Sequence, residues 1–450
     1  MSSVSASSNN SNQAKLDLPA PSVSGLRLGL EYWFRPEVFM SRLESLGDRF
    51  LMPLPGFPTS VGLTSPEDVR KIFAGDQTAL HFGEALGKVS PHPVLLGENS
   101  ISFKDDEPHL EDRKLMLPHF SRGAAKKYEY IFAKKTEEHM ARWPRGKSFS
   151  FHQAMMDLTL DIIVDVVMGV TQPTRARRLR RAVLDMVSEV GSIGFLFSTI
   201  VAVSKGGRWD GKYKKLRAAI ADGDNILLEE MNERRASGDE QREDVLAVFL
   251  QMQSDNPEKV TDEYIFEALR TMLIAGYETT ASTLGWLGER ISRNPRVVTE
   301  IERSIEDDDY TYVEAVCSEA LRSRPVLPFT GRLVVKPVDL GAGLVLEPGM
   351  LVFTMMTLLH HREDVYPNAE EFRPERFLEK KVSPYEMITF GGGLRRCLGA
   401  PFAVSEMHVI ITTICRNLHF ETTNKPSERI ARRSITLVPS KGAQVVLSER

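Results

Sequence analysis

The feature that most constrains this chain is a run that reads as one long helix, Asp262 to Asn294. Thr261 is placed to cap it, Asp262 and Glu263 put negative charge in its first turn, and Pro295 follows its end. At 1.5 Å per residue the rod is about 50 Å long, enough to cross a whole domain. Its centre, AGYETT (Ala275 to Thr280), is a poor helix. Gly276 costs roughly 1 kcal/mol relative to Ala. Thr279 and Thr280 are β-branched, and their hydroxyls can bond back to carbonyls one turn earlier. The sequence therefore predicts a local widening there, and a reason for it other than helix stability.

The rest of the chain suits a structure built around such a rod. It has 450 residues, 42% apolar and 26% charged, enough for a large core. Fifty-seven basic against 61 acidic residues leave a net charge of -4, which argues against a nucleic-acid binder. Three cysteines, Cys317, Cys397 and Cys415, exclude a disulfide framework and any CxxC zinc or redox site. Residues 1–17 begin Ser- and Asn-rich with no apolar stretch, so a disordered tail and no secretory signal are expected. The longest uncharged run, Val190 to Ser204, is shorter than the roughly 18 residues a spanning helix needs. These readings predict a cytoplasmic protein with no membrane span.

A β-like stretch lies near Arg49 to Leu63, broken by Pro53, Pro55 and Pro58. From about Pro108 the period becomes helical, through His109 to Leu117, Ala124 to Trp143, Ala154 to Met168, Arg175 to Val190 and Lys212 to Arg235. No repeat and no long linker interrupts it. Residues 18–450 are expected to form a single, mainly α domain with small β-sheets.

Chemistry is concentrated around Cys397, in FGGGLRRCLGA (residues 390–400). Three glycines let the backbone turn tightly and approach another group closely. Arg395 and Arg396 put positive charge beside the sulfur, and Ala400 to Leu418 reads as an amphipathic helix beginning just after it. Both features favour thiolate over thiol. Gly399 and Ala400 leave room for a flat ligand on the first turn. The glycines are not a nucleotide loop, because Arg396 stands where GxGxxG needs its third glycine. Cys317 and Cys415 are expected to be small buried hydrophobes.

The run Phe390-x-x-Gly393-x-Arg395-x-Cys397-x-Gly399 resembles the haem-binding loop of the cytochrome P-450 haem-thiolate monooxygenases. Three further motifs follow the family's order: AGYETT resembles its oxygen-activating segment, EALR (Glu319 to Arg322) its E-x-x-R helix, and FRPERF (Phe372 to Phe377) its PERF segment. The resemblance covers about residues 20 to 450. It implies the family's α-rich triangular prism, with the long central helix lying over a haem b (iron protoporphyrin IX).

The resemblance also implies roles for residues. Cys397 would be the axial ligand to iron, a thiolate that favours O–O cleavage, with Phe390 shielding its sulfur. Arg395 would bind a haem propionate, as would His109 and Arg113, which stand at i and i+4 on one helix face. Arg332, in FTGRL, resembles a further propionate ligand. Ala275 and Gly399 would lie against the haem. Glu278 and Thr279 would form the proton-delivery pair. Glu319, Arg322 and Arg376 would form a buried network supporting the cysteine loop.

Phe82, Leu95, Leu96, Phe195, Phe197, Leu273, Ile274, Phe329 and Ile435 are candidates for an apolar substrate cavity. The basic runs Arg175 to Arg181 and Lys205 to Lys215 read most simply as solvated helix faces. Arg396, Lys114, Lys380 and Lys381 would form a positive collar for an acidic ferredoxin or flavodoxin, which with its reductase would deliver electrons. The expected activity is insertion of one atom of O2 into a lipophilic molecule (steroid, terpenoid, fatty acid or aromatic). The alternatives are a peroxide-using or non-oxygenating haem-thiolate enzyme, or a haem-dependent sensor or carrier. The Glu278–Thr279 pair favours the first.

Overall fold

In the computed structural model, residues 16–54, 56–89, 92–170, 172–190, 213–237 and 242–450 are described. The expected tail up to residue 15, the uncharged run from 191 and most of the Lys205 to Lys215 cluster lie outside them, as do Phe195 and Phe197.

The central helix runs from Asp262 to Ser292, and the Thr261 hydroxyl accepts the Tyr264 N–H at 3.2 Å. It ends two residues before Asn294 because Pro295 begins the next helix. From Tyr277 to Ser292 nearly every side chain is buried. Its main partner is the helix Phe151–Met168, which is apolar on most of its surface. Gly276 belongs to this contact: a Cβ there would lie 2.8 Å from Ile163 Cδ1. The glycine that weakens the helix thus lets its neighbour approach.

The widening expected at AGYETT does not occur. The backbone is α-helical throughout, with the Thr279 hydroxyl donating to the Ala275 carbonyl at 2.8 Å and Thr280 to Gly276 at 3.0 Å. Back-bonded hydroxyls satisfy themselves on an intact helix, so the threonines do not force it open.

Helices at Asp106–Met116, Pro173–Val190 and Lys214–Ser237 match the expected periods. The run Ala124 to Trp143 instead splits into Arg122–Lys126 and Glu129–Met140, because Lys127 and Tyr128 close the first helix with turn hydrogen bonds. The arginines from 175 to 181 are not simply solvated. Arg175 bonds Glu230 at 2.5 Å and Glu233 at 2.7 Å, Arg178 bonds Glu229 at 2.8 Å, and Arg180 meets Asp161 at 2.5 Å. These pairs join helix Pro173–Val190 to helices Lys214–Ser237 and Phe151–Met168. Opposite charges on facing helices were invisible to a one-helix reading.

The β structure is small. One five-stranded sheet has the order Arg49–Leu51, Ser60–Leu63, Leu351–Thr354, Thr330–Val334, Leu80–His81. Its second and third strands are parallel and the other pairings antiparallel. The proline-rich stretch thus contains two short antiparallel strands, with Pro53 and Pro58 in the connection, and Pro55 lies outside the described residues. Near the end of the chain, Ile430–Arg433 and Thr436–Pro439 form a hairpin, and its second strand packs on the central helix. Among the described residues, no helix is long and apolar enough to cross a membrane.

Candidate active site

The cysteine loop is shaped by backbone conformations that only glycine adopts easily. Gly391 and Gly393 have φ of +66° and +63°. They turn the chain so that the Cys397 N–H donates to the Phe390 carbonyl at 2.8 Å. The helix Ala400–Asn417 starts two residues after Gly399's predecessor, Leu398, with Gly399 at its N-cap. Cys397 therefore lies just before a helix start, as expected.

The surroundings of the sulfur are informative. Burial is the strongest influence on the Cys397 thiol and pushes it up, yet the side chain is reachable by water. The sulfur is surrounded by protein on several sides, yet its residue is not packed away from solvent. The Gly399 and Ala400 amides, Arg396 and Arg113 all favour the thiolate but do not outweigh burial. The basic neighbours and the helix start thus act in the expected direction, with burial opposing them. By contrast, Cys317 and Cys415 are buried as expected, their thiols pushed up to about 12.

A Cβ on Gly399 would meet nothing within 4 Å. On the central helix, Ala275 is exposed where most of its neighbours are covered, with Thr279 one turn further on. The central helix and helix Ala400–Asn417 touch.

Near Cys397 the structure collects three arginines, Arg113, Arg332 and Arg395, around His109. His109 and Arg332 are buried, at 4% and 3% exposure. Arg332 bonds only Thr330 Oγ1 at 3.1 Å and the Gly331 carbonyl at 2.8 Å, and it lies over the rings of Phe82 and Phe73. Burial, then the Arg395 charge, lowers its pKa to about 9. His109 is lowered to about 4 by burial, then by Arg395 and Arg113, so it is neutral near pH 7. Arg113 is also depressed by burial, and the nearby Cys397 opposes this. Arg395 donates to the Ile101 and Lys104 carbonyls and to Asp105. Among the described residues, Asp105 is the one carboxylate paired with this set. Burial works against the Asp105 charge, but the Gly83 amide, Arg395, the Glu84 amide and His81 hold its carboxyl below the usual range. The surplus of buried positive charge requires anions from elsewhere.

Residues 20–447 match the family model for cytochrome P450. The chain belongs to the cytochrome P450 family. Its curated relatives include the provisionally named cytochrome P450 135A1 of Mycobacterium tuberculosis, 34% identical over 96% of this chain and 94% of that protein. Cytochrome P450 135B1 of Mycobacterium bovis is 33% identical over 89% of this chain and 84% of its own. Among solved structures, a cyanobacterial CYP120A1 with bound retinoic acid aligns with a TM-score of 0.80 and 19% identity, covering 96% of this chain and 99% of that one. That likeness places this P450 in the family's fold.

The family is one of haem-thiolate monooxygenases, and the site suits a haem. An accessible sulfur lies beside a glycine with open space at its Cα, and Arg113, Arg332 and Arg395 have Asp105 as their one paired carboxylate among the described residues. These residues would hold a haem through its iron and its propionates.

The buried network under the loop is also present. Glu319 and Arg322, both 0% exposed, are joined by two hydrogen bonds of 2.7 and 2.8 Å. Arg376 Nε reaches Glu319 at 3.2 Å, and the Arg373 amide donates to the same carboxylate. Arg322 continues to the carbonyls of His360 and Ala369. His360 Nε2 accepts the Ile388 N–H at 3.0 Å, and Thr389 Oγ1 donates to the Leu321 carbonyl at 3.1 Å. Both of these bonds reach the segment entering the cysteine loop.

Glu278 and Thr279 do not point the same way. The Glu278 carboxylate accepts Thr436 Oγ1 at 3.1 Å and faces Arg433 at 3.9 Å, both in the C-terminal hairpin. Burial raises its pKa, opposed by Arg433 and Thr436. Sequence reasoning missed a second acid, Glu406, which burial pushes well above the usual range, with Thr280 beside it as the opposing partner. An acid on the buried face of helix Ala400–Asn417 was the available signal.

The cavity candidates separate. Leu95, Leu96 and Leu273 are buried in the main helical core, with Ile274 packed against it. Phe82 lies under Arg332 and Arg395. Phe329 packs on Tyr32 and Phe353, away from that core, and Ile435 is exposed on the hairpin. Arg396, Lys114, Lys380 and Lys381 are all exposed.

Proposed function

We propose that this P450 inserts one atom of O2 into a lipophilic organic substrate at a haem b ligated by Cys397, using electrons from an external ferredoxin or flavodoxin. When bound, the haem supplies oxygen activation, which consumes two electrons and two protons and releases the second oxygen atom as water. The observation that carries this reading is an accessible Cys397 just before a helix start, with open space at Gly399.

The chain's own residues divide the remaining work. The Gly399 and Ala400 amides donate to the sulfur and favour its thiolate form. Phe390 screens it. His109, Arg113, Arg332 and Arg395 receive the propionates, which supply the missing negative charge. Ala275 leaves space on the opposite side. Thr279 Oγ presents a hydroxyl there, and Glu278, whose carboxylate turns to Thr436 and Arg433, is the acid of the proton-delivery pair. The exposed Arg396, Lys114, Lys380 and Lys381 suit an acidic electron donor.

The test is a Cys397→His variant beside wild type. Wild type should show a thiolate-type ferrous–CO spectrum, and it should couple oxygen consumption to product with a ferredoxin and its reductase. The variant should lose the thiolate spectrum. An unchanged spectrum in the variant would overturn the ligand assignment. Wild-type turnover with peroxide alone, or no turnover at all, would favour the alternative chemistries or a sensor.

A further inference from the structure

Asp105 occupies the N-cap position of helix Asp106–Met116 but makes no side-chain cap bond to it. Its carboxylate turns away. Oδ1 accepts the Phe82 and Gly83 amides at 2.9 and 3.0 Å, and Oδ2 accepts the Glu84 amide at 2.9 Å. Those amides lie at the start of helix Gly83–Val89. Oδ1 also accepts the Arg395 guanidinium from the cysteine loop. The next residue, Asp106, has φ of +49°, a left-handed conformation uncommon for a side chain other than Gly. Its carboxylate is tied to His81 Nε2 at 3.1 Å, and His81 Nδ1 to Glu84 at 3.2 Å. The chain thus forfeits its own helix cap and holds a strained backbone to aim Asp105 at two other elements.

We propose that Asp105 is a positioning residue for the haem, clamping Arg395 to the segment from Phe82 so that this segment and the propionate-binding arginine hold one arrangement. The inference rests on the haem reading above. Arg395 is anchored through both terminal nitrogens, to Ile101, Lys104 and Asp105, and keeps its Nε–H as a donor for a propionate. The Asp105 charge also offsets part of the positive field at the haem edge. A negative charge near the haem stabilises the ferric state over the ferrous one, so its removal should raise the reduction potential.

The experiment uses purified holoprotein of wild type, Asp105→Asn and Asp105→Glu. Asparagine retains an acceptor for the amides and loses the charge. The readouts are the ferrous–CO spectrum, the reduction potential, the rate of haem transfer to apomyoglobin and the melting temperature. Asp105→Asn should keep the thiolate spectrum, raise the potential and release haem several-fold faster, and Asp105→Glu should largely restore both. In an Arg395→Lys background the Asp105→Asn effects should shrink. Unchanged potential and haem release with only a lower melting temperature would make Asp105 a helix cap and overturn the clamp. Effects of equal size in both backgrounds would also overturn it. A wild-type protein lacking the thiolate spectrum would overturn the haem reading itself, and the clamp with it.

Discussion

Thr279 has a hydroxyl at an open position of the central helix, already donated to the Ala275 carbonyl. It can still accept a hydrogen bond, and it can swing to donate only by giving up that bond. Thr279→Ala should therefore keep the fold and haem, because it removes no long-range contact, while diverting electrons into peroxide. The check is the ratio of product to oxygen consumed; fully coupled turnover in the variant would remove Thr279 from the proton route. Glu406 behaves differently because it is fully buried with only Thr280 opposing the cost. A carboxyl raised in the folded state favours folding below its unfolded value of 4.5, and that contribution is lost as pH rises through the folded value. Glu406→Gln should match wild-type stability in acid and exceed it increasingly from about pH 4.5 upward. Denaturant melts across pH test this, and a constant or shrinking difference would contradict it. Both effects depend on burial. The sequence shows the carboxyl but not how deep it lies.

Between elements, the decisive contact joins helix Thr311–Ser323 to the PERF segment and the entry to the cysteine loop. Glu319 is shared by Arg322, Arg376 and the Arg373 amide. Removing it leaves two buried guanidinium groups without their counter-charge, which costs about 3–5 kcal/mol. Glu319→Ala should yield little folded holoprotein, measured as haem absorbance per chain; abundant haem protein with normal melting would sink that account. The E-x-x-R spacing put the pair on one helix face, and the family resemblance supplied Arg376 as third partner. The links through His360 and Thr389 were not legible, because they join positions distant in sequence. Similarly, the Arg175 to Arg181 cluster looked solvated until helix Lys214–Ser237 brought Glu229, Glu230 and Glu233 opposite it.

At the scale of the molecule, periodicity and capping were enough to place the long central helix and most of the helices around it, since these are local properties of the chain. The four motifs pointed to the cysteine loop, to the helix of Glu319 and Arg322 and to the AGYETT segment, since each needs particular residues at short spacing. Tertiary structure alone decided three matters. It kept the AGYETT segment packed as an α-helix, because Ile163 lies against Gly276. It set the protonation balance at Cys397, Glu278 and Glu406, because desolvation depends on every neighbour in space. It also aimed Asp105 away from its own helix, so that it links the cysteine loop to helix Gly83–Val89. Residue type and spacing reveal which groups are available for chemistry; packing and burial determine which of them meet and in what charge state.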